Sequence, residues 1–259
     1  MLFRSEIFDC VHLDTHTTAA VSIRVEESWR VNVTIRNSLF QNNSVGLKIR
    51  FEQVHHHKPD VEFSLNIDKT KFLKNGFYMT SLERGAVLFS NKTNFTGKID
   101  LRVRVDEVEC VEGGGHFLSI VLPTAVTKET YRNLNLERNH FNVSRSLYYS
   151  KVKMASVSFF RLQCSNNSEI RCLTIQSFAK ADRAIRLSVN ESRFHDNRTN
   201  RKKFAAIFRA TGVQPQSGTI DIFNTSFIRN YKISVSITPS FKVRLDLVTI
   251  RSSDRKSVV

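Results

Sequence analysis

The sequence predicts an all-β protein: a right-handed, single-stranded parallel β-helix of roughly eight coils, each of about 30 residues. Three observations lead to this prediction. A phrase of fixed spacing recurs along the chain, alternating apolar and polar residues precede each copy, and no stretch shows the apolar period of an amphipathic helix. The alternative fold is a β-sandwich, which requires antiparallel strands about every 8–12 residues.

The recurring phrase reads aliphatic, any two residues, Ser or Thr, any residue, Phe, any two residues, Asn. In the third copy, Asn139 stands at the Ser/Thr position and Ser144 at the final Asn position. The five copies are 35–43, 67–75, 136–144, 189–197 and 222–230. Similar strands without the Phe are predicted at 99–105, 160–164 and 243–247. A second strand follows most Phe-x-x-Asn units, at 45–51, 86–90, 204–210 and 232–237.

One aliphatic anchor per unit sets the repeat length at about 30 residues. The anchors are Ile35, Ile67, Leu101, Leu136, Leu162, Val189, Ile222 and Leu247. Such units are too short for crossover helices or for the four strands of a propeller blade. In a solenoid, equivalent side chains stack ~4.8 Å apart. The Asn is expected at a bend, where it tolerates left-handed backbone and bonds to its equivalents.

The units resemble the right-handed parallel β-helix repeats of the pectate-lyase-like superfold over about residues 31–250. They are most similar to extracellular adhesin-type repeats with Phe-x-x-Asn and Gly-Gly-Ala-Ile signatures, as in chlamydial polymorphic outer-membrane proteins. Glycosylated β-helix proteins of animal cell surfaces are similar too. Phe40–Asn43, Phe72–Asn75, Phe194–Asn197 and Phe227–Asn230 match the first signature, and 84–89 and 113–120 are degenerate forms of the second.

The ends of the chain differ from its repeats. Residues 1–30 are predicted to form a partial first coil or an atypical end, and 251–259 an uncapped tail. Solenoids need covering elements at their ends to stay soluble. We therefore expect this sequence to be a fragment of a longer secreted or surface protein.

The composition limits the classes of partner that the chain can bind. A formal charge of +15 permits nucleic acid, anionic lipid or acidic glycan. Twenty Phe against one Trp indicate rings buried in a core, which disfavours a base-stacking groove for nucleic acid. No apolar run approaches the ~18 residues that span a bilayer, so membrane attachment is expected only through missing parts of the chain.

Nine Asn-x-Ser/Thr sequons, about three times the chance number, favour an extracellular or cell-surface glycoprotein. The start of the chain has no signal peptide and by itself indicates the cytoplasm, while turn chemistry alone also enriches such triplets. We expect Asn32, Asn91, Asn190 and Asn224 to be exposed and modifiable. Asn197 is the doubtful member, because an Asn that points inward into a ladder has no room for a sugar. The sequons are Asn32, Asn42, Asn91, Asn94, Asn142, Asn166, Asn190, Asn197 and Asn224.

Cys164 and Cys172 bracket a polar loop that a disulfide can close. Cys10 and Cys110 lie so far apart in the sequence that it leaves their pairing open. The absence of a Cys-x-x-Cys motif argues against a zinc site or a thioredoxin-like function.

No catalytic residue, metal or cofactor is predicted. Asp100, Asp221 and Asp246 occupy outward strand positions, and Asp221 and Asp246 are candidates for neighbouring coils. Three consecutive His at 55–57 cannot share one strand face, so they are read as an exposed turn, and 113–115 is read as a Gly-rich bend. A polysaccharide lyase or glycoside hydrolase remains the alternative function.

Basic residues at outward strand positions form a positive stripe if they stack between coils. The sequence therefore predicts a non-enzymatic scaffold or adhesion module that binds acidic polysaccharide or cell-surface proteins. The candidate glycan-binding residues are Lys48, Arg50, Arg102, Arg104, Arg201, Lys202, Lys203, Lys242 and Arg244.

Overall fold

The structure is a computed structural model of the 259-residue chain. It describes residues 2–8, 11–26, 30–52, 60–75, 85–91, 97–114, 116–121, 125–139, 147–150, 154–168, 172–177, 184–198, 208–212, 218–230, 235–237, 239 and 241–252. Within these ranges the protein is all-β, its named strands all pair in parallel, and no helix occurs.

Strands are numbered in chain order across two sheets. The first sheet has nine strands in the order β1-β3-β5-β8-β11-β14-β17-β20-β23. They are β1 Leu2–Phe8, β3 Arg30–Arg36, β5 Val61–Asp68, β8 Ile99–Asp106, β11 Ala125–Arg132, β14 Met154–Phe160, β17 Ala184–Asn190, β20 Gly218–Phe223 and β23 Phe241–Asp246.

The second sheet has fifteen strands, in two arms joined at β4, Leu39–Glu52. One arm holds β6 Lys71–Leu73, β9 Glu109–Val111, β12 Asn135–Glu137, β15 Gln163–Ser165, β18 Arg193–His195, β21 Ser226–Asn230 and β24 Thr249–Ser252. The other holds β7 Gly85–Asn91, β10 His116–Val121, β13 Leu147–Ser150, β16 Leu173–Ser177, β19 Phe208–Gly212 and β22 Val235–Ile237; β2, Val11–Glu26, pairs with β4.

The chain visits the sheets in a repeating order. A typical repeat runs from β5 in the nine-stranded sheet to the short β6 in one arm and β7 in the other, and β8 then pairs with β5 in parallel. Parallel strands of one sheet cannot be joined by hairpins. This arrangement is compatible with a parallel β-helix.

Side chains of the nine-stranded sheet alternate between core and outer face, as in β5, where Val61, Phe63, Leu65 and Ile67 are buried. Parallel pairing aligns equivalent positions into columns running across the strands. One core column holds Ile35, Ile67, Val105, Tyr131, Phe159, Val189 and Ile222, and it continues to the exposed Leu245 on β23. The sequence anchors Leu101, Leu136, Leu162 and Leu247 are therefore out of phase with it.

The predicted strand at 160–164 is wrong, because β14 ends at Phe160 and Arg161 turns the chain with a φ of 57°. The pattern misled because the core at this column accepts Tyr131 and Phe159 in place of aliphatic residues. Their rings stack with centroids 4.7 Å apart.

The Phe of the repeat forms a second core column. Phe40 stacks on Phe72 at 5.0 Å, and Phe194 on Phe227 at 4.7 Å. The repeats between them place Cys110, Leu136 and Cys164 in this column. The copy predicted at 136–144 is thus misaligned, since Leu136 itself takes the Phe position.

A ladder of buried Asn side chains stands three residues after this column, with Gly113 replacing Asn in one repeat. Its members are Asn43, Asn75, Asn139, Asn167, Asn197 and Asn230, all buried. Asn197 is representative: its Nδ2 donates to the carbonyl of Cys164 and to the Oδ1 of Asn230, both at 2.9 Å. Gly113 keeps the chain of contacts, because its backbone N donates to the Oδ1 of Asn139 at 2.7 Å.

The ladder was predicted, but the left-handed backbone lies one residue earlier. Asp196, with a φ of 57°, precedes Asn197, and Asn42, Lys74, Glu112, Arg138, Asn166 and Arg229 occupy the equivalent places. The residue before each ladder Asn adopts the left-handed conformation that turns the chain. The Asn side chain can therefore point into the core and bond to its equivalents. A similar bend after the nine-stranded sheet places Asn224 at a φ of 43°.

Candidate glycan-binding face

Six basic side chains lie on the outer face of the nine-stranded sheet, in two adjacent columns. Pairing across successive strands aligns Arg102, Lys128, Arg186 and Lys242 in the first column, with Ser156 and Thr219 between them. Arg104 and Arg244 lie in the second column, two residues further along β8 and β23. We call these six residues the basic face.

The basic face is solvent-exposed and weakly neutralised. All six residues are exposed. Arg102 lies 3.7 Å from Asp100, and Arg104 lies 3.9 Å from Asp106, both long for ion pairs. In the described part of the chain, the other four form no ion pair. Their charge is therefore available to an external anion.

The structure brings together only some of the predicted basic residues. Arg102, Arg104, Lys242 and Arg244 share the basic face, whereas Lys48 and Arg50 lie on β4 in the second sheet. There, Arg50 lies 3.5 Å from Glu52. Arg201, Lys202 and Lys203 fall outside the described residues.

Two members of the basic face, Lys128 and Arg186, were missed from the sequence. The inward positions beside Lys128 are Thr127 and Glu129, both buried, so β11 does not show the apolar alternation of a strand. Arg186 stands between buried Ile185 and Leu187, and extending that alternation by one residue pair would have found it.

A cavity of about 410 Å³ lies at the edge of the same sheet, lined by the carboxylates Asp68, Asp106 and Glu107 and by the cations Arg36, Lys69 and Arg104. Asp68 and Asp106 occupy paired positions on β5 and β8. The sequence did not single out these carboxylates, because their proximity depends on register. Among the described residues, this cavity is the arrangement closest to a hydrolytic or lyase site.

The three aspartates predicted from sequence do not form one cluster with each other. Asp100 pairs with Glu62 of β5. Asp221 and Asp246 do lie on neighbouring strands, but Asp221 pairs with Arg244 and Asp246 with Phe223. No group of three metal-ligating side chains occurs among the described residues. The three His at 55–57 lie outside those residues.

Grooves along the bend beside the nine-stranded sheet differ in charge from the basic face. Two cavities, of about 550 and 410 Å³, share Arg161 and Gln163. Two of their cations are paired within the chain: Lys71 to Glu109 at 3.0 Å and Arg161 to Glu191 at 3.2 Å. An incoming anion would have to displace these carboxylates, so the basic face is the better anion site.

The second bend carries an exposed cross-strand ion pair between Asp196 and Arg229. Both carboxylate oxygens of Asp196 accept hydrogen bonds of 2.8 Å from the Arg229 guanidinium. These bonds, with a further one from His195, hold the pKa of Asp196 well below its usual range. Asp196 therefore stays ionised at neutral pH and is no proton donor.

The sequons occupy contrasting positions. Asn166 and Asn224 are exposed at left-handed bends, and Asn32, Asn42 and Asn190 are half-buried. Asn197 is completely buried in the ladder. Asn94, Asn142 and the side chain of Asn91 lie outside the described part of the chain.

Cys164 and Cys172 are joined in a disulfide, with their Cα atoms 6.2 Å apart. Cys110 is a free, buried thiol in the second core column, and desolvation raises its pKa to about 12. Cys10 lies outside the described residues.

Comparisons of the chain with protein-family models, curated proteins and solved structures give no match. Across the described ranges, no helix has the length and apolar character needed to cross a membrane.

Proposed function

We propose that this chain is a non-enzymatic extracellular scaffold or adhesion module with a right-handed parallel β-helix fold, and that it binds acidic polysaccharide along the basic face. The repeating path through the sheets supports the fold, with one turn per strand of the nine-stranded sheet. Right-handedness follows from the general chirality of parallel crossovers.

The ligand class is inferred from the alignment of four basic side chains in one exposed column. Arg102 on β8 and Lys242 on β23 are five strand spacings apart, roughly 24 Å at ~4.8 Å per strand. A linear polymer with regularly spaced sulfate or carboxylate groups can contact several of these cations at once. A globular protein partner would need a matching acidic stripe of the same length, so we favour the glycan.

Two further features support electrostatic binding of a glycan on this exposed surface. Several surrounding outward positions are small hydroxyl residues, including Ser156, Ser158 and Ser188, which can donate hydrogen bonds to sugar hydroxyls. The overall formal charge of +15 attracts a polyanion from a distance at low ionic strength.

Chromatography on immobilised polyanions tests this function. We expect the purified chain to be retained on heparin and on polygalacturonate resins, to elute with added salt, and to pass through neutral dextran. Passage through both acidic resins at low salt would overturn the proposal.

The cavity with paired carboxylates favours a second candidate, a polysaccharide lyase or glycoside hydrolase. Paired Asp68 and Asp106, with Glu107 and the neighbouring Arg36, offer the carboxylates and cation that such chemistry uses. Incubation with polygalacturonate would reveal unsaturated ends from a lyase or reducing ends from a hydrolase. Product that disappears in Asp68→Asn would establish the enzyme and overturn the non-enzymatic assignment.

A further inference from the structure

Two outward-facing phenylalanine rings flank Asn190 on the nine-stranded sheet. Phe160 on β14 and Phe223 on β20 are both register partners of Asn190 on β17. Neighbouring strands lie ~4.8 Å apart, so each ring stands one strand spacing from the Asn190 side chain. Asn190 is the first residue of the sequon Asn190-Glu191-Ser192.

Phe223 is the open ring of this pair. It is 42% exposed, while the other large exposed apolar side chains among the described residues lie after it, from Val243 to Ile250. Phe160 is half-buried, and the Arg161 guanidinium lies over its ring, 4.8 Å from the centroid. The Oδ1 of Asn190 is buried with no hydrogen-bond partner. The site thus combines an uncovered apolar ring with an amide whose interactions are incomplete.

We propose that Asn190 carries an N-linked glycan whose first N-acetylglucosamine packs its C–H face on the Phe223 ring and the edge of Phe160. This inference rests on the proposed function, because attachment requires passage through the secretory pathway. The donor is a lipid-diphosphate-linked oligosaccharide: the Asn190 Nδ2 loses a proton and bonds to the sugar C1, whose bond to the diphosphate oxygen breaks.

Packing is favoured because the sugar is already tethered beside the ring. Covering Phe223 removes apolar surface from water, and attachment to the adjacent strand supplies a high effective concentration. The proposal distinguishes Asn190 from Asn32, another half-buried sequon residue on the outer face of the same sheet. Asn32 has Ser64 as its register partner on β5 and so has no ring there.

Site occupancy is measured on protein secreted from glycosylating cells behind an added signal peptide. Tryptic peptides 31–36 and 187–193 each contain one sequon, Asn32 and Asn190 respectively. Enzymatic deglycosylation in heavy-oxygen water marks each formerly glycosylated Asn, and we expect both to be marked. A marked Asn32 with unmarked Asn190 would overturn this inference alone, whereas neither marked would overturn the secreted assignment as well.

Packing is measured by thermal unfolding in a Ser226→Ala background, which removes the sequon at Asn224. We expect Asn190→Gln and Phe223→Ser each to lower Tm by about 2–4 °C, without adding when combined, because both remove one contact. Asn32→Gln is the matched control and should leave Tm unchanged. Additive effects of Asn190→Gln and Phe223→Ser, or equal effects of Phe223→Ser in unglycosylated protein, would overturn the packing.

Discussion

The side-chain Nδ2 of Asn167 donates a hydrogen bond to the Oδ1 of Asn197, 2.9 Å away, although the two residues are 30 positions apart in the chain. The backbone N of Asn167 donates to the same oxygen at 3.2 Å. This relationship links neighbouring repeats inside the protein, where water cannot replace the bonds.

Removing one ladder amide should therefore destabilise the fold. Asn197→Ala leaves the amide of Asn167 and the carbonyl of Cys164 buried without their partner, and we expect a loss of about 2–4 kcal/mol in the free energy of unfolding. Urea denaturation measures it. Asn135→Ala, on the half-buried outer side of β12, is the control and should cost less than about 0.5 kcal/mol. Equal losses of unfolding free energy in Asn197→Ala and Asn135→Ala would show that a buried ladder Asn contributes no more to stability than a half-buried Asn outside the ladder.

The Phe column should be equally sensitive. Phe194→Ala removes a fully buried ring that stacks on Phe227, and the cavity should cost about 3–5 kcal/mol in the same denaturation experiment. Leu245→Ala, at a side chain 53% exposed, serves as the control, with an expected cost below about 1 kcal/mol. A small effect of Phe194→Ala would mean that this ring is not buried.

Asn197 should remain unmodified in folded, secreted protein. Its amide is completely buried and both its Nδ2 bonds are internal, so a glycan would break the ladder. Mass spectrometry of the tryptic peptide 194–198 checks this, with Asn32 in peptide 31–36 as the accessible comparison. A glycan on Asn197 in protein that is folded would contradict the ladder.

Cys110 should resist alkylation in the native protein even in mild alkali. Burial raises its pKa to about 12, so the thiol stays protonated near pH 9, where an exposed cysteine is about half thiolate. The raised pKa also means that its contribution to stability is complete below pH 9 and declines as pH rises toward 12. Iodoacetamide labelling should be slow at pH 8 and pH 9 and become fast in urea. Rapid labelling of Cys110 itself in native protein, with the labelled cysteine identified by mass spectrometry, would place Cys110 at the surface.

The outer repeats of the fold were predictable because their core residues are distinctive. Phe40, Phe72, Phe194 and Phe227, each followed by a ladder Asn, repeat at constant internal spacing. The middle repeats were not predictable, because Cys110, Leu136 and Cys164 fill the same column in place of Phe. Any apolar side chain of suitable volume satisfies the packing there.

The candidate site was predictable only where alternation revealed a strand. Arg102 and Arg104 stand between apolar residues and were found, whereas Lys128 lies in a strand whose inward residues include Glu129 and Tyr131. The Tyr131 hydroxyl donates to the Oε2 of Glu129 at 2.5 Å, which joins these two polar groups inside the core. The pairing of Asp68 with Asp106 depends on register, which local patterns do not encode when the phase drifts between repeats.

The most direct test of the account is calorimetric titration of heparin oligosaccharide into three proteins that differ only in exposed charge. The column variant carries Arg102→Gln, Lys128→Gln and Arg186→Gln. The control variant carries Lys69→Gln, Arg193→Gln and Arg198→Gln, which removes the same charge from exposed positions outside the basic face.

We expect the column variant to bind at least about tenfold more weakly than the unaltered chain, with the slope of log K against log salt reduced by about two. The control variant should stay within about threefold of the unaltered chain, because its charges do not contact the polymer. Equal weakening in both variants would show that net charge alone attracts the polyanion and would contradict a binding site on the basic face.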